Sequence, residues 1–328
     1  MRKITYIQAV NEAFREEMRR DPKVFIMGEE VKVGVLGQTE GLFEEFGEEK
    51  VRNTPISEQG FVGAGIGAAG SGMRPIVDFM FGNFMYVAMD QLANQAAKLR
   101  YMSGGQVNFP MVFYTTTGDM GSTAAQHSDH PVAPFVNMPL LKIVLPSTPY
   151  DAKGLLKSAI RDDNPIIFFE EVTLGGIKGD VPEEEYLISI GKGDIKRSGK
   201  DVTVVAVGCM APQALSAAEK LQKEGISVEV ADPRTIVPLD KEIILNSVKK
   251  TGRLVICEDA PRLCSFASEV SATISEDGFS YLKAPIKRVT REHVPLPFSS
   301  PMTEFVLPNE SKIIDAIKEA LRYENKTR

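Results

Sequence analysis

The sequence predicts an α/β protein of two doubly wound domains, each a mostly parallel sheet with helices on both faces. Three observations lead there. Short apolar, strand-like runs alternate with helix-period segments through most of the 328 residues, which implies parallel sheets covered by helices. That length exceeds the roughly 100–200 residues of one domain. The alternation breaks once, between residues 175 and 200, where Gly175, Gly176, Gly179, Gly191, Gly193 and Gly199 accompany Pro182 and the acidic run 183–185. Flexible glycines and water-seeking charges read as a linker. The domains are therefore expected at residues 1–180 and 201–328, joined by a linker over 181–200.

The first domain should begin with a helix over 6–20, where Ile7, Val10, Phe14 and Met18 recur at helical spacing and Thr5 is placed to cap it. VFIMG (24–28) and PIVDFM (75–80) read as buried strands, and GFVGAGIGAAGSG (60–72) as a tightly packed helix. A long helical stretch is expected over 83–99. PMVFY (110–114), LKIVL (141–145) and PIIFFE (165–170) are further strands, with a helix over 149–161. The second domain repeats the alternation: strands at 201–208, 226–232 and 253–259, and helices at 211–224, 240–250, 265–276 and 309–322.

The charge balance, 38 Lys+Arg against 44 Asp+Glu, gives a net −6 and no electrostatic reason to expect nucleic acid or an anionic membrane. No apolar run approaches the ~20 residues needed to span a bilayer. Glu12, Glu16 and Glu17 interrupt the only stretch resembling a signal peptide. Cys209, Cys257 and Cys264 are odd in number and far apart, which excludes a disulfide framework and fits a reducing cytoplasm. With His127, His130 and His293 as the only histidines, a histidine-rich metal centre is excluded.

The most tempting motif is Gly65-Ile-Gly67-Ala-Ala-Gly70, a GxGxxG pattern. Dinucleotide binding needs those glycines in a turn between a strand and a helix, with an acidic residue ending a later strand. Neither condition is met, and close packing of a helix is the preferred reading. Ser57 and Glu58 in TPISEQG suit a helix start, as N-cap and first-turn carboxylate. His127 lies in AAQHSDH (124–130) on a polar stretch between two strands, where a histidine serves as general acid or base or simply faces solvent. Met80, Phe81, Phe84, Met85 and Tyr86 form an aromatic and methionine cluster that suits a core or a flat ligand ring. From these residues alone, the reading ends at a two-domain α/β protein with enzyme-like features.

Longer segments carry more. TPISEQGFVGAGIGAA (54–69), DQLANQAAKLRYMSGGQ (90–106), AAQHS (124–128), PSTPYDAKGLLKSAIRDDNP (146–165), DPRTIVPLD (232–240), SVKKTGRLV (247–255) and APIKRVT (284–290) together resemble one family over almost the whole chain. It is the β subunit of the thiamine-diphosphate-dependent 2-oxo acid dehydrogenase component, with the similar acetoin dehydrogenase β subunit. The resemblance implies a transketolase-like pyrimidine-binding domain followed by a transketolase C-terminal-like domain. It implies decarboxylation of pyruvate or a branched-chain 2-oxo acid, or cleavage of acetoin, with transfer of the acyl group to lipoamide.

The same resemblance assigns residues. Thiamine diphosphate reacts through a thiazolium carbanion, formed when its own aminopyrimidine acts as base. The family glutamate that hydrogen-bonds the pyrimidine falls on Glu58, and the side chains packed around that ring fall on Met80 and Phe84. His127 falls on the histidine that serves substrate and lipoyl group. SAIRDDNP matches a potassium-binding loop, implying Met111, Ala159, Ile160, Asp162 and Asn164, mostly through carbonyl oxygens. No GDG segment occurs, so a separate α chain is implied to hold the diphosphate and Mg²⁺, in an assembly of two α and two β chains. A dihydrolipoyl acyltransferase core and its lipoyl domain are the further partners implied. The sequence departs from the family at Asp129 and His130, just after His127, and at Pro139-Leu140-Leu141-Lys142. Two other readings remain: a nicotinamide-dependent dehydrogenase resting on Gly65, Gly67 and Gly70, and a non-catalytic scaffold homologue.

Overall fold

The computed structural model describes residues 1–323. The described residues divide into two compact units, Met1–Gly118 with Pro134–Ile190, and Asp119–Ala133 with Gly191 onward.

In the first unit a short strand β1 (Arg2–Thr5) leads into α1 (Tyr6–Arg20), where Thr5 and Gln8 form a reciprocal capping box. There follow β2 (Val24–Gly28), α2 (Leu42–Phe46), β3 (Val51–Asn53), α3 (Glu58–Gly70) and β4 (Arg74–Phe81). The expected helix over 83–99 is instead broken into a 3₁₀ segment Gly82–Ala88, a π segment Gln91–Ala96 and one turn of α4 (Leu99–Met102). Gly82 and Asn83, weak helix formers, begin this stretch without a side-chain cap. Departures from α geometry of this kind cluster near functional sites.

The chain continues through β5 (Val112–Thr117), α5 (Ala124–His127, part of the second unit), α6 (Ala133–Val136), β6 (Lys142–Val144), α7 (Pro149–Arg161), β7 (Ile166–Glu171) and β8 (Lys178–Val181). The large-sheet strands of this unit run in the order β6-β7-β5-β4-β2-β3, every pairing parallel. All five residues of β2 and all six of β5 and β7 are buried, as parallel sheets covered on both faces require. β1 and β8 form a separate antiparallel pair. Packing of α1 on α7 includes buried charges: Lys153 Nζ reaches Glu16 at 2.6 Å, Lys157 Nζ reaches Glu16 at 2.7 Å, and Arg161 grips the fully buried Glu17. Each of these lysines, almost never buried unless paired, has its partner.

The order of winding sets where a ligand can bind. From β2 the chain moves out to β3, then returns to the other side of β2 as β4. Where winding reverses, a crevice opens at the carboxyl ends of the two strands. Gly28 ends β2 opposite Asp78 on β4, and a Cβ there would lie 2.3 Å from the Asp78 carbonyl oxygen. Only glycine fits.

The second unit holds β9 (Asp194–Arg197), β10 (Val202–Ala206), α8 (Met210–Gln222), β11 (Val228–Asp232), β12 (Thr235–Val237), α9 (Lys241–Thr251), β13 (Leu254–Pro261), α10 (Phe266–Asp277), β14 (Lys287–Arg291), α11 (Ser300–Val306) and α12 (Glu310–Arg322). Its five-stranded sheet runs β14-β13-β10-β11-β9, parallel except for β9. β9 lies within the stretch read as linker. Its glycines are used for close approach: a Cβ on Gly199 would stand 2.2 Å from the Glu229 amide nitrogen. Among the described residues no helix is long and apolar enough to cross a membrane.

Candidate active site

The first unit places Glu58 at the start of α3, buried at 7% exposure, where the helix dipole favours a carboxylate. Ser57 occupies the N-cap position, but its side chain makes no capping hydrogen bond; the expected cap is absent, and α3 opens on Glu58. Glu29 follows β2 directly. Loss of hydration, then the neighbouring carboxylates of Glu58 and Glu30, push its pKa up. Its Oε1 is shielded from solvent without a hydrogen-bond partner, as is Oε1 of Gln38.

Asp78 is buried on β4, level with the end of β2. Its carboxylate accepts the Met80 N–H at 2.8 Å and the Gln38 side-chain amide at 3.2 Å. The first bond holds Met80 at φ +62°, a left-handed conformation rare for a residue with a side chain. A small crevice here is lined by Glu29, Val31, Leu36, Gln38, Asp78 and Met80. Burial raises the Asp78 pKa to about 6, with the Glu29 charge adding to it against the two hydrogen bonds. Behind it, burial and then the Asp78 charge push Glu170 to about 8. Phe84 sits half-buried on the 3₁₀ segment, edge-on to Phe81 at 5.7 Å.

The crevice holds about 10 Å³, room for a single water, and neither Glu58 nor Phe84 lines it. It combines a buried carboxylate, acceptor oxygens lacking donors, and a methionine whose backbone is held away from its relaxed geometry. Burying those acceptors unpaired costs about 1–3 kcal/mol each, a cost that a hydrogen-bond donor arriving there would relieve. Asp78 and Glu29 were not among the residues singled out from sequence for this site. The signal was there: each is a carboxylate in or directly after an otherwise apolar strand run.

His127 belongs to the other unit, at the end of α5 and half-buried. The segment before it is held by Asp119, whose Oδ1 accepts the Gly121 N–H at 3.0 Å and the Ser128 hydroxyl at 3.3 Å. His130 is buried, and its charge acts on Glu258 and Asp259.

The turn after α7 carries the residues implied for potassium. The Ile160 and Asp162 carbonyls both accept from Arg74 Nη1 at 3.0 Å, the Ala159 carbonyl from the Asp162 N–H, and the Met111 carbonyl from the Ile166 N–H. A carbonyl oxygen has two lone pairs, so each retains one. The Asn164 side-chain oxygen is taken by Arg100, and Lys142 pairs with the Asp162 carboxylate. A cation here would therefore rest on backbone carbonyls. Gly65, Gly67 and Gly70 all lie within α3, not in a strand-to-helix turn, which removes the structural basis of the nicotinamide alternative.

Two domain families match the chain: transketolase, pyrimidine binding domain, over residues 2–176, and transketolase, C-terminal domain, over 191–313. The fold is also that of a solved split-gene transketolase (an inactive β4 tetramer), with TM-score 0.79 and 23% identity over 97% of this chain and 98% of that one. The class is thus a transketolase-like two-domain protein with a pyrimidine-binding half. Within that class the chain is 45% identical to the β subunit of acetoin:2,6-dichlorophenolindophenol oxidoreductase of Bacillus subtilis, over 98% of both. It is likewise 45% identical to the pyruvate dehydrogenase E1 component β subunit of Rhizobium meliloti, over 97% of this chain and 70% of that one. The chain belongs to the family of β subunits of thiamine-dependent 2-oxo acid and acetoin dehydrogenases.

Proposed function

We propose that this chain supplies the pyrimidine-binding half of a thiamine diphosphate site that is completed by an α subunit. Glu58 holds the aminopyrimidine through a hydrogen bond, Met80 and Phe84 pack on the ring, and Gly28 lets the end of β2 lie close against β4. When bound, the coenzyme supplies the carbon nucleophile that attacks a 2-oxo acid or acetoin. Glu58 keeps a proton positioned at the ring nitrogen, and His127 serves proton transfer during delivery of the acyl group to a lipoyl domain on the acyltransferase core. The diphosphate and Mg²⁺ fall to the α chain, because no GDG segment occurs here. Pyruvate, a branched-chain 2-oxo acid and acetoin are the substrate candidates, in a cytoplasmic assembly of two α and two β chains.

The observation that carries this reading is the buried Glu58 at the start of α3, whose charge acts on Glu29, together with a Glu29 oxygen that lacks a donor. The test is reconstitution with a cognate α chain. Glu58→Gln should lower thiamine-dependent dye reduction by about 10²–10⁴-fold, the usual worth of a positioned proton-transfer group, and should weaken thiamine diphosphate binding measured by calorimetry. Near-normal activity and affinity in Glu58→Gln would refute it. Assembly with no thiamine-dependent turnover would favour the scaffold reading instead.

A further inference from the structure

We propose that Arg291 and Asp259 are positioning residues that hold the His127 segment in place through the backbone carbonyl of Ser128. This rests on the role given to His127 above, but the anchor itself is a matter of named atoms. In the second unit the winding reverses around β10, with β11 on one side and β13 on the other. The carboxyl ends of β10 and β13 are therefore where a site should form. Asp259 lies near the end of β13, and Arg291 ends the neighbouring β14.

The two side chains form a buried fork. Arg291 Nε donates to Asp259 Oδ1 at 2.5 Å and Nη2 to Oδ2 at 2.8 Å, with Arg291 4% and Asp259 6% exposed. The remaining arm, Nη1, donates to the Ser128 carbonyl at 2.8 Å. Burial opposes ionisation of Asp259, yet the Arg291 charge and hydrogen bonds, with His130 adding to them, hold its carboxyl below the ordinary range. A guanidinium fixed in two directions by one carboxylate has a single orientation left for its third arm. Ser128 is fully buried and follows His127 directly, so that arm fixes the chain one residue from the imidazole.

The segment needs such an anchor. Ser122 and Ala124 both have φ +57°, a left-handed conformation that costs a residue with a side chain of order 1–3 kcal/mol and persists only where surroundings enforce it. α5 is a single turn and cannot hold itself. A misplacement of about 1 Å at a reacting group lowers rate by about 10²-fold. Arginine is suited to the role because lysine, a point charge, cannot grip a carboxylate and a carbonyl in one plane.

The test uses the reconstituted α–β assembly with a lipoyl domain as acceptor. In Arg291→Met, hydrogen–deuterium exchange of peptides from 119–133 should accelerate at least tenfold while the rest of the unit keeps its protection. Acyl transfer to the lipoyl domain should fall at least tenfold more than dye reduction does, through kcat and not through KM for the lipoyl domain. Arg291→Lys should lie between wild type and Arg291→Met. If Arg291→Met fails to fold, the double variant Arg291→Met/Asp259→Leu removes both buried charges and is read the same way. Unchanged protection of 119–133, or equal loss in both assays, overturns the proposal. His127→Ala, run in parallel, separates the two ideas. Loss of transfer there with a wild-type-like Arg291→Met condemns the anchor alone. Intact transfer in His127→Ala condemns the catalytic role while the exchange data still judge the anchor.

Discussion

Gly65 and Gly70 of α3 face close neighbours whereas Gly63 and Gly67 meet nothing within 4 Å, and substituting Gly65 and Gly63 tests the packing role directly. A Cβ on Gly65 would stand 2.7 Å from Val77 Cγ2 and 3.5 Å from Met111 Cε, whereas one on Gly63 meets nothing within 4 Å. Val77 is fully buried on β4, and a β-branched side chain has little rotameric freedom to withdraw. Both Gly→Ala changes gain helix propensity, about 1 kcal/mol each. Gly65→Ala alone incurs overpacking, about 1–3 kcal/mol. The difference between the variants isolates the steric cost, so Gly65→Ala should be less stable than Gly63→Ala by about 1–3 kcal/mol. At about 2–4 °C per kcal/mol for a unit of this size, thermal unfolding followed by circular dichroism should separate their midpoints by several degrees. Relief of the clash by a shift of α3 would also move Glu58 and weaken thiamine diphosphate binding in the assembly. A Gly65→Ala protein that melts with Gly63→Ala or above it would refute the packing argument.

Two further outcomes follow from other buried groups. Glu170 ionises near 4.5 when exposed but near 8 in the fold, so the folded state holds its proton over that window and stability contributed below pH 4.5 is lost as pH rises towards 8. Unfolding midpoints measured from pH 5 to 9 should fall less steeply in Glu170→Gln than in wild type; an equal or steeper fall would contradict the assignment. At the turn after α7, the free lone pairs of the Met111, Ala159, Ile160 and Asp162 carbonyls predict that potassium chloride raises the unfolding midpoint above that in choline chloride at equal ionic strength. Equal midpoints would mean that Arg74, already bound to two of those carbonyls, suffices.

Local pattern determined much of this protein. Apolar runs such as VFIMG and PIIFFE could be satisfied only as strands buried on both faces, because they leave no polar side to meet water. Thr5 with Gln8, and Thr148 with Asp151, fixed helix starts through atoms three residues apart. What local pattern could not supply was any arrangement made by distant residues. The strand β9 is decided by pairing with β11, more than thirty residues later in sequence. Assignment of residues 119–133 to the second unit, with Ser128 bonded to Arg291 across 163 positions, left no trace in either segment. Glu58 was legible because a long matched segment surrounds it. Glu29 and Asp78 left only the trace of a carboxylate in or just after an apolar run, and the Arg291–Asp259 fork left none, because a buried charge is recognised by its partner, and only the tertiary structure brings the partners together.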